Sequence, residues 1–292
     1  MDLTGKDAHR ATVWQLRTRS LTFGELPLLM GIVNVTPDSF SDGGRFLGVE
    51  SAVNQGLKLV AEGADILDIG GESTRPYSTQ VELQEELNRV LPVIEQLAKE
   101  TKVPISIDTS KATVAREAIA RGAEIINDVT GLEGDPEMVS VAVESNAGVC
   151  AMHMQGTPQT MQDDPRYDDI VEEIGAYLAQ RRDALLAAGL KRERICLDPG
   201  IGFGKTHQHN LTLMARCEAF HRLGCPLLVG HSRKGFLAKV IGDSETDRAS
   251  ATAGSAIALA RQGVQVIRVH DVRVVRETLL AHHACESGNL PE

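Results

Sequence analysis

The chain has 292 residues, of which 42% are hydrophobic and only 3% aromatic, and it carries a formal net charge of -10 at pH 7. An acidic protein without a block of basic residues is poorly suited to bind nucleic acid or an anionic membrane surface. No apolar run reaches the roughly 18 residues of a membrane span. The composition therefore favours a globular α/β protein, and an anionic small molecule is not excluded as a ligand, because a few cationic side chains can form one positive cleft.

The cysteines and the first residues bear on the cellular compartment. Five cysteines occur, at positions 150, 196, 217, 225 and 285. None belongs to a Cys-x-x-Cys pair, so we expect reduced thiols rather than disulfides or a zinc site. Residues 1–10 contain acidic side chains instead of the apolar core of a secretion signal. We expect a cytoplasmic protein.

Strand and helix patterns alternate along nearly the whole chain. Residues 1–11 are expected to be a flexible N-terminus, and the alternation over 12–24 predicts a short β-hairpin. The predicted strands are 28–34, 64–69, 104–108, 124–127, 148–153, 194–198, 226–230 and 265–269. The predicted helices are 49–62, 81–99, 111–121, 136–145, 167–188, 208–222, 246–262 and 271–284.

Eight complete strand–helix units match the roughly 250 residues of a TIM (β/α)8 barrel, which we predict for a single domain spanning 12–292. No Gly-x-Gly-x-x-Gly follows the first long strand, which counts against a dinucleotide-binding fold. The C-terminal ends of the strands form the active site in such barrels. The strand-end residues are Asn34, Asp68, Asp108, Asn127, Met152 or His153, Asp198, Ser232, and Arg268 with His270.

Three of these strand-end residues carry directional acceptors and donors. Asp108, Asn127 and Asp198 suit a flat heterocycle that presents amine, ring N–H and carbonyl groups, and they would also suit a metal cage. Capping of the following helix explains Asp108 or Asn127 equally well. Capping does not explain Asp198, because Pro199 and Gly200 follow it and no helix begins nearby.

The glycine-rich segment 200–206 ends in Gly204-Lys205-Thr206, as a P-loop does. A P-loop would need glycine at position 199, where this chain has proline, so a nucleotide site is not predicted. Phe203 within this segment could stack on a ring or wall a small apolar pocket, and an ordinary core position is the alternative.

Cationic side chains gather at the same end of the predicted barrel. Arg75, Lys234 and Arg268, with Thr74 and His270 beside them, suit an oxyanion such as a phosphate. The loops after the seventh and eighth strands are the usual phosphate region of such barrels. Structural salt bridges are the alternative for Lys234 and Arg268.

The segment after the first long strand offers oxygen ligands. Asn34, with Thr36, Asp38 and Ser39 close behind, suits Mg2+, which keeps most of its waters and takes one or two protein ligands. No His/Cys cluster supports zinc. The loops 35–48 and 70–80 have the length of mobile lids, although disordered surface loops would look the same.

Together these motifs resemble the bacterial dihydropteroate synthases, from about residue 12 onward. The segments that carry the resemblance are 29–44, 68–76, 106–109, 127–128, 152–154, 198–206, 232–234 and 268–271. The resemblance implies a homodimeric TIM barrel that joins 6-hydroxymethyl-7,8-dihydropterin pyrophosphate to 4-aminobenzoate with Mg2+ as cofactor. Similar enzymes are the targets of sulfonamides.

The resemblance also implies roles for individual residues. The pterin would be held by Asp108, Asn127, Met152, Asp198 and Lys234. The pyrophosphate would contact Thr74, Arg268 and His270, and the metal would lie at Asn34. The aminobenzoate would lie among Arg75, Pro76, Phe203, Ser232 and Lys234, beneath a lid with Asp38 and Phe40. Asp108, Lys234 and Arg268 would be catalytic.

Two residues depart from the family pattern, and two other functions stay open at this point. Tyr77 stands where a small residue, usually glycine, follows Arg-Pro, and His231 stands where a smaller residue is common. A pterin-binding methyltransferase of the methyltetrahydrofolate–corrinoid kind would share the pterin-holding Asp and Asn, but it has no use for the pyrophosphate-binding cations. A catalytically inactive pterin-binding barrel is the other alternative.

Overall fold

The computed structural model describes residues 10–35, 44–75, 77–243 and 245–290. The described strands are β1 (Val13–Gln15), β2 (Ser20–Thr22), β3 (Leu28–Asn34), β4 (Ile66–Gly70), β5 (Ile105–Asp108), β6 (Ile125–Asp128), β7 (Gly148–Met152), β8 (Ile195–Asp198), β9 (Leu228–Val229) and β10 (Val266–Val269). The described helices are α1 (Gly44–Ala61), α2 (Leu83–Glu100), α3 (Ala112–Ala120), α4 (Met138–Ser145), α5 (Ile170–Ala187), α6 (His207–Ala215), α7 (Gly235–Ile241), α8 (Ala249–Arg261) and α9 (Val272–Ser287).

Eight parallel strands form one sheet in the order β8-β7-β6-β5-β4-β3-β10-β9. A parallel bridge between Leu197 and Leu227 joins the two ends of that sheet and completes the barrel. The strands are buried on both faces, as their near-continuous Val, Ile and Leu content predicts. The predicted TIM barrel is therefore confirmed.

The predicted hairpin is also present, and it closes the N-terminal end of the barrel. β1 and β2 pair antiparallel, with Trp14 opposite Leu21. Trp14 is fully buried, and its indole N–H donates to the carbonyl oxygen of Arg194 at 3.1 Å. Trp14, Leu16 and Phe23 belong to a cluster with the barrel-interior residues Met30, Ile66, Ile125, Cys150, Cys196, Leu228 and Val266. This cluster leaves the C-terminal end as the open end.

The first helix begins at Gly44, inside the loop predicted over 35–48, instead of at Val49. Two further helical segments, both after β8, differ from the sequence prediction. The helix predicted over 208–222 ends at Ala215, and a 3-10 helix spans Cys217–Leu223. The short helix Gly235–Ile241 was not predicted at all. Its seven residues make only two turns, too few for a helical period to be recognised in sequence. Both differences lie on the side of the barrel that follows β8 and β9.

Tyr77 adopts a backbone conformation that usually belongs to glycine, in agreement with the family pattern expected at this position. Its φ angle is 62°, in the left-handed region, where a side chain costs about 1–2 kcal/mol. The Tyr77 backbone N–H donates to the carbonyl oxygen of Pro158 at 3.0 Å, and its hydroxyl lies 3.3 Å from a carboxylate oxygen of Asp163. These contacts link the loop after β4 to the loop after β7.

No helix among the described residues is long and apolar enough to cross a membrane. Residues 1–9 lie outside the described part of the chain, so the flexible N-terminus and the domain limits stay predictions.

Candidate active site

The C-terminal ends of the barrel strands surround a cavity of about 890 Å3. Twelve of the predicted site residues line it, namely Asn34, Thr74, Arg75, Asp108, Asn127, Met152, Asp198, Phe203, Ser232, Lys234, Arg268 and His270. Asp38, Phe40 and Pro76 lie outside the described residues. Side chains from every strand-end region thus meet in one space, as the barrel prediction requires.

The floor of the cavity is an ion-pair cluster centred on Arg268. Arg268 Nε lies 2.6 Å from Asp68 Oδ2, and its Nη2 lies 2.7 Å from Asp108 Oδ2. Asn127 Nδ2 donates to the same Asp68 oxygen at 3.1 Å. Asp108 and Asn127 are register partners on β5 and β6, while Arg268 reaches them from β10. The salt-bridge alternative therefore holds for Arg268, which nevertheless still lines the cavity.

Burial and mutual attraction set the charges of this cluster. Burial raises the pKa of Asp108 to about 7, although Arg268 opposes the shift. Burial acts to lower the pKa of Arg268, but Asp68 and Asp108 outweigh it and the pKa lies above the ordinary value. Asp68 is fully buried and does not line the cavity, so its prediction as a strand-end site residue is wrong. It instead holds Arg268 and Asn127 in place.

Asp198 is held by the turn that follows β8. Its Oδ1 accepts the backbone N–H of Gly200 at 2.7 Å, and only 5% of the residue is exposed. Burial raises the pKa of this carboxyl group. Gly200 has a φ of 69°, and a Cβ atom there would lie 1.9 Å from the carbonyl oxygen of His153. Only glycine can bring this turn so close to β7, which explains the Asp-Pro-Gly sequence.

Lys234 and Phe203 form one wall of the cavity. The Lys234 ammonium lies 4.3 Å from the centroid of the Phe203 ring and donates to the carbonyl oxygen of Ile201. Burial lowers the pKa of Lys234 to about 7. Among the described residues Lys234 forms no salt bridge, so the salt-bridge alternative gains no support there. Phe203 lies on the cavity wall, which favours the pocket interpretation over a core position.

Ser232 orients the imidazole of His270. The His270 backbone N–H donates to Ser232 Oγ at 3.2 Å, and the same oxygen lies 2.9 Å from His270 Nδ1. The Ser232 hydroxyl can donate its hydrogen to Nδ1, or it can accept from Nδ1 with its second lone pair. Burial lowers the pKa of His270 to about 4, so the ring is neutral at pH 7, and its proton lies on Nε2 when Ser232 donates to Nδ1. Nε2 can then donate to an anionic ligand.

Several cavity residues were not predicted. They include Glu72, Met161, Gln162, Lys205, His207 and Arg248. Met161 and Gln162 lie in the long loop after β7, which has no periodicity to reveal them. Lys205 is only 2% exposed and contacts His153 Nδ1 at 3.0 Å and the Phe203 carbonyl oxygen at 2.8 Å. Its burial beside the loop after β8 could not be foreseen from a Gly-Lys-Thr sequence.

His231, the second departure from the family pattern, is a buried structural residue. It is fully buried, and its Nε2 lies 3.0 Å from the carbonyl oxygen of Thr252. A carbonyl only accepts, so Nε2 carries the proton. Burial lowers the pKa of His231 to about 4, and the folded protein therefore holds this ring neutral.

The His231 ring predicts a pH effect on stability. Between pH 6.5 and about 4 the unfolded chain protonates this residue while the folded chain does not, so stability falls as the pH falls. His231→Gln keeps a donor for Thr252 and removes the titration. We expect urea titrations from pH 7 to 4 to show the wild type losing up to about 1.4 kcal/mol per pH unit relative to the variant. A constant difference would contradict the assignment.

The donors around Asn34 fit a partial magnesium site. Asn34 is exposed at the end of β3, and its amide group lines the cavity. Among the described residues no group of three His, Cys, Asp or Glu side chains could hold a metal ion. One amide oxygen together with waters and phosphate oxygens is a ligand set that Mg2+ accepts.

A family model described as pterin binding enzyme matches residues 30–270, and the chain therefore belongs to the pterin-binding enzymes. It is 45% identical over 262 residues to dihydropteroate synthase from Escherichia coli, covering 87% of this chain and 93% of the relative. Within its family the chain belongs with the dihydropteroate synthases, which are transferases.

Two solved structures extend this similarity to the fold. Xanthomonas albilineans dihydropteroate synthase with 4-aminobenzoic acid has a TM-score of 0.88 at 42% identity, covering 95% of this chain and 99% of that one. The same enzyme in complex with 7,8-dihydropteroate has a TM-score of 0.84 at 40% identity, covering 94% and 99%. The methyltransferase alternative is not favoured by these relatives.

Proposed function

We propose that this protein joins 6-hydroxymethyl-7,8-dihydropterin pyrophosphate to 4-aminobenzoate, giving 7,8-dihydropteroate and pyrophosphate. The observation that carries the proposal is a single cavity that is lined by buried carboxylate and amide groups together with cationic groups. A heterocycle and a pyrophosphate can therefore bind side by side. The names of the relatives and their complexes support the same reaction.

The pterin fits the deep part of the cavity. The carboxylates of Asp108 and Asp198 accept hydrogen bonds from ring N–H and amino groups, and the Asn127 amide can both donate and accept. Met152 is 3% exposed and lies at the end of β7, where it offers an apolar contact to the ring. Burial makes these polar groups selective, because a ligand that leaves them unpaired binds poorly.

The pyrophosphate fits the cationic and hydrogen-bond-donating groups that lie beside the pterin end of the cavity. Arg268, the Thr74 hydroxyl and the neutral His270 Nε2–H can all donate to phosphate oxygens. Asn34 would supply a protein ligand to Mg2+ at this position. The bound metal would supply additional positive charge to the leaving group.

The reaction proceeds by loss of pyrophosphate before the new bond forms. The bond between the pterin methylene and the pyrophosphate oxygen breaks, and the oxygen keeps the electron pair. Arg268 stabilises the charge that develops on the leaving group, while Asp108 faces the methylene cation. The aminobenzoate nitrogen then attacks the cation and loses one proton. Exclusion of water favours the weakly nucleophilic arylamine over hydrolysis.

The aminobenzoate fits between Phe203 and the loop that carries Arg75. The Phe203 ring offers a flat apolar face, and the Arg75 guanidinium offers charge to a carboxylate. Lys234 and Ser232 line the same region. The predicted contact with Pro76, and the lid formed by Asp38 and Phe40, stay predictions because these residues lie outside the described part of the chain. A sulfonamide would compete for this end of the cavity.

The proposal extends to the oligomeric state of the protein and to its cellular location. A homodimer formed through the later helices is expected from the resemblance to the family. A cytoplasmic location agrees with the five cysteines, which are all free and four of which are buried.

Positional isotope exchange tests the order of bond breaking. We expect substrate labelled with 18O between the methylene and the α-phosphorus to scramble its label in the presence of enzyme and Mg2+ without 4-aminobenzoate. Scrambling follows because the freed pyrophosphate rotates before it recombines with the cation. Phosphorus NMR measures the label position. Rapid turnover with 4-aminobenzoate but no scrambling in its absence would contradict prior loss of pyrophosphate.

A further inference from the structure

A buried ion-pair network lies behind the loop that follows β4. Lys111 Nζ contacts Glu72 Oε2 and lies 2.5 Å from Glu86 Oε2. The Thr109 hydroxyl donates to the other Glu86 oxygen at 2.7 Å. Glu86 is fully buried on α2, and Lys111 and Thr109 follow β5. The network therefore joins three consecutive segments, namely the loop after β4, helix α2 and the turn after β5. None of these four side chains has a role in the proposed reaction.

Electrostatics makes Lys111 the centre of this network. Burial acts to lower its pKa, but the hydrogen bonds to Glu72 and Glu86 outweigh that effect and raise it. Lys111 is therefore charged and neutralises a carboxylate that has no access to solvent. Without Lys111 the two carboxylates would repel each other across the buried gap. Glu72, which is the more exposed of the two, would move away.

Glu72 in turn closes the loop that carries Thr74 and Arg75. Its Oε2 binds Lys111, while its Oε1 accepts the backbone N–H of Val81 at 3.3 Å. One side chain thus ties the beginning of the loop to its end. Arg89 on α2 adds a contact of 2.8 Å to the Gly71 carbonyl oxygen, and a Cβ at Gly71 would lie 2.7 Å from Val90. The base of the loop is packed against α2.

We propose that Lys111 is a positioning residue that holds Glu72, and through it residues 71–75 and 77–81 of the loop after β4, in the arrangement that presents Thr74 and Arg75 to the cavity. The inference rests on the proposed function for the ligands that this loop meets. Lys111 itself does not line the cavity. Its effect is therefore expected on the aminobenzoate and pyrophosphate ends and not on the pterin end.

The test compares Lys111→Met with two other variants. Lys111→Met is expected to raise the KM for 4-aminobenzoate by about 10- to 100-fold, because the loop loses its shape. Binding of a pterin without pyrophosphate, measured by calorimetry, should stay within about twofold, since Asp198 and Asn127 are untouched. In Lys111→Arg, which keeps the positive charge, the KM for 4-aminobenzoate should return close to the wild-type value. Glu72→Gln should raise the same KM, and it leaves Lys111 paired with the buried Glu86. This variant therefore tests the inference even if Lys111→Met does not fold.

Amide hydrogen exchange measures the stability of the loop independently of enzymatic activity. Peptides covering 71–81 should exchange faster in Lys111→Met than in the wild type. Lys99→Met is the matched control, because it removes an exposed lysine that pairs with Glu95 at 2.8 Å on α2. It should change neither the KM for 4-aminobenzoate nor the exchange rate of the loop. Unchanged exchange in the loop, or equal losses of pterin and aminobenzoate binding, would overturn the inference. If the wild type forms no product, the proposed function is refuted. The exchange experiment would still test whether Lys111 stabilises the loop.

Discussion

Replacing Asp198 with asparagine is expected to weaken binding of the pterin substrate by about 100-fold while leaving the folded protein at least as stable. The carboxylate accepts from ring N–H and amino groups, and a hydrogen bond to a charged acceptor is worth about 1.5–3 kcal/mol. Asparagine can keep the bond from the Gly200 N–H, but it turns an NH2 group toward a ligand that also donates. Burial raises the pKa of Asp198, so a neutral side chain removes a desolvation cost.

Calorimetric titration with the pterin and urea unfolding measure the two effects of this substitution. Asp65→Asn is the matched control, because the pKa of Asp65 is also raised by burial and its carboxylate accepts a backbone N–H, from Leu29 at 2.9 Å. Asp65 precedes β4 at the opposite end of the barrel. It should leave pterin binding unchanged. Loss of pterin binding in both variants, or in neither, would contradict the assignment of Asp198.

Replacing Arg268 with alanine is expected to reduce both stability and activity. The substitution leaves the fully buried Asp68 and the largely buried Asp108 without their cation, a change that costs about 3–5 kcal/mol in buried pairs. Product formation should fall by about 100- to 1000-fold, because the leaving group loses a preorganised donor. Urea unfolding and initial rates with saturating substrates measure the two losses.

The pH dependence of the Arg268→Ala variant identifies the cause of its instability. Arg268 lowers the pKa of Asp108, so its removal raises that pKa further above 7 and the folded variant binds a proton that the unfolded chain releases. The stability lost relative to the wild type should therefore shrink as the pH falls toward about 7, and it should change little below that pH, where the folded wild type also holds this proton. Arg116→Ala is the control, because Arg116 pairs with Glu137 at 3.4 Å on the surface. Equal losses in the two variants would contradict a buried cluster.

The barrel could be predicted from sequence because its signals are local and repeated. Each strand is a short run of Val, Ile and Leu, and each is followed by a polar residue and a helical period. The complete units imply closure, and closure places all the strand ends at one face. That topology is why residues as distant in sequence as Asn127 and Arg268 can be assigned to one cavity from the sequence alone.

What could not be predicted depends on contacts between distant segments. The sequence marks Asp68 as a strand end, but only the packed barrel shows that it lies beneath Arg268. Glu86 is one acidic residue among several on α2, and nothing in its local pattern indicates that it is fully buried against Lys111. A charged residue is normally expected at the surface, so the partner that permits burial has to be seen.

The cavity also unites roles that sequence separated. The family resemblance placed Ser232 with the aminobenzoate and His270 with the pyrophosphate, whereas their side chains lie 2.9 Å apart. Ser232 thus bears on both ends, because its hydroxyl group holds the imidazole ring and the backbone N–H of His270. Side-chain orientation of this kind follows from the fold and not from spacing along the chain.

The most direct test is to incubate the purified protein with Mg2+, 6-hydroxymethyl-7,8-dihydropterin pyrophosphate and 4-aminobenzoate, and to quantify 7,8-dihydropteroate and pyrophosphate together. We expect the two products to appear in equal amounts and only when both substrates are present. Pterin binding detected by calorimetry without release of pyrophosphate under the same conditions would contradict the proposed function and would point to an inactive pterin-binding barrel.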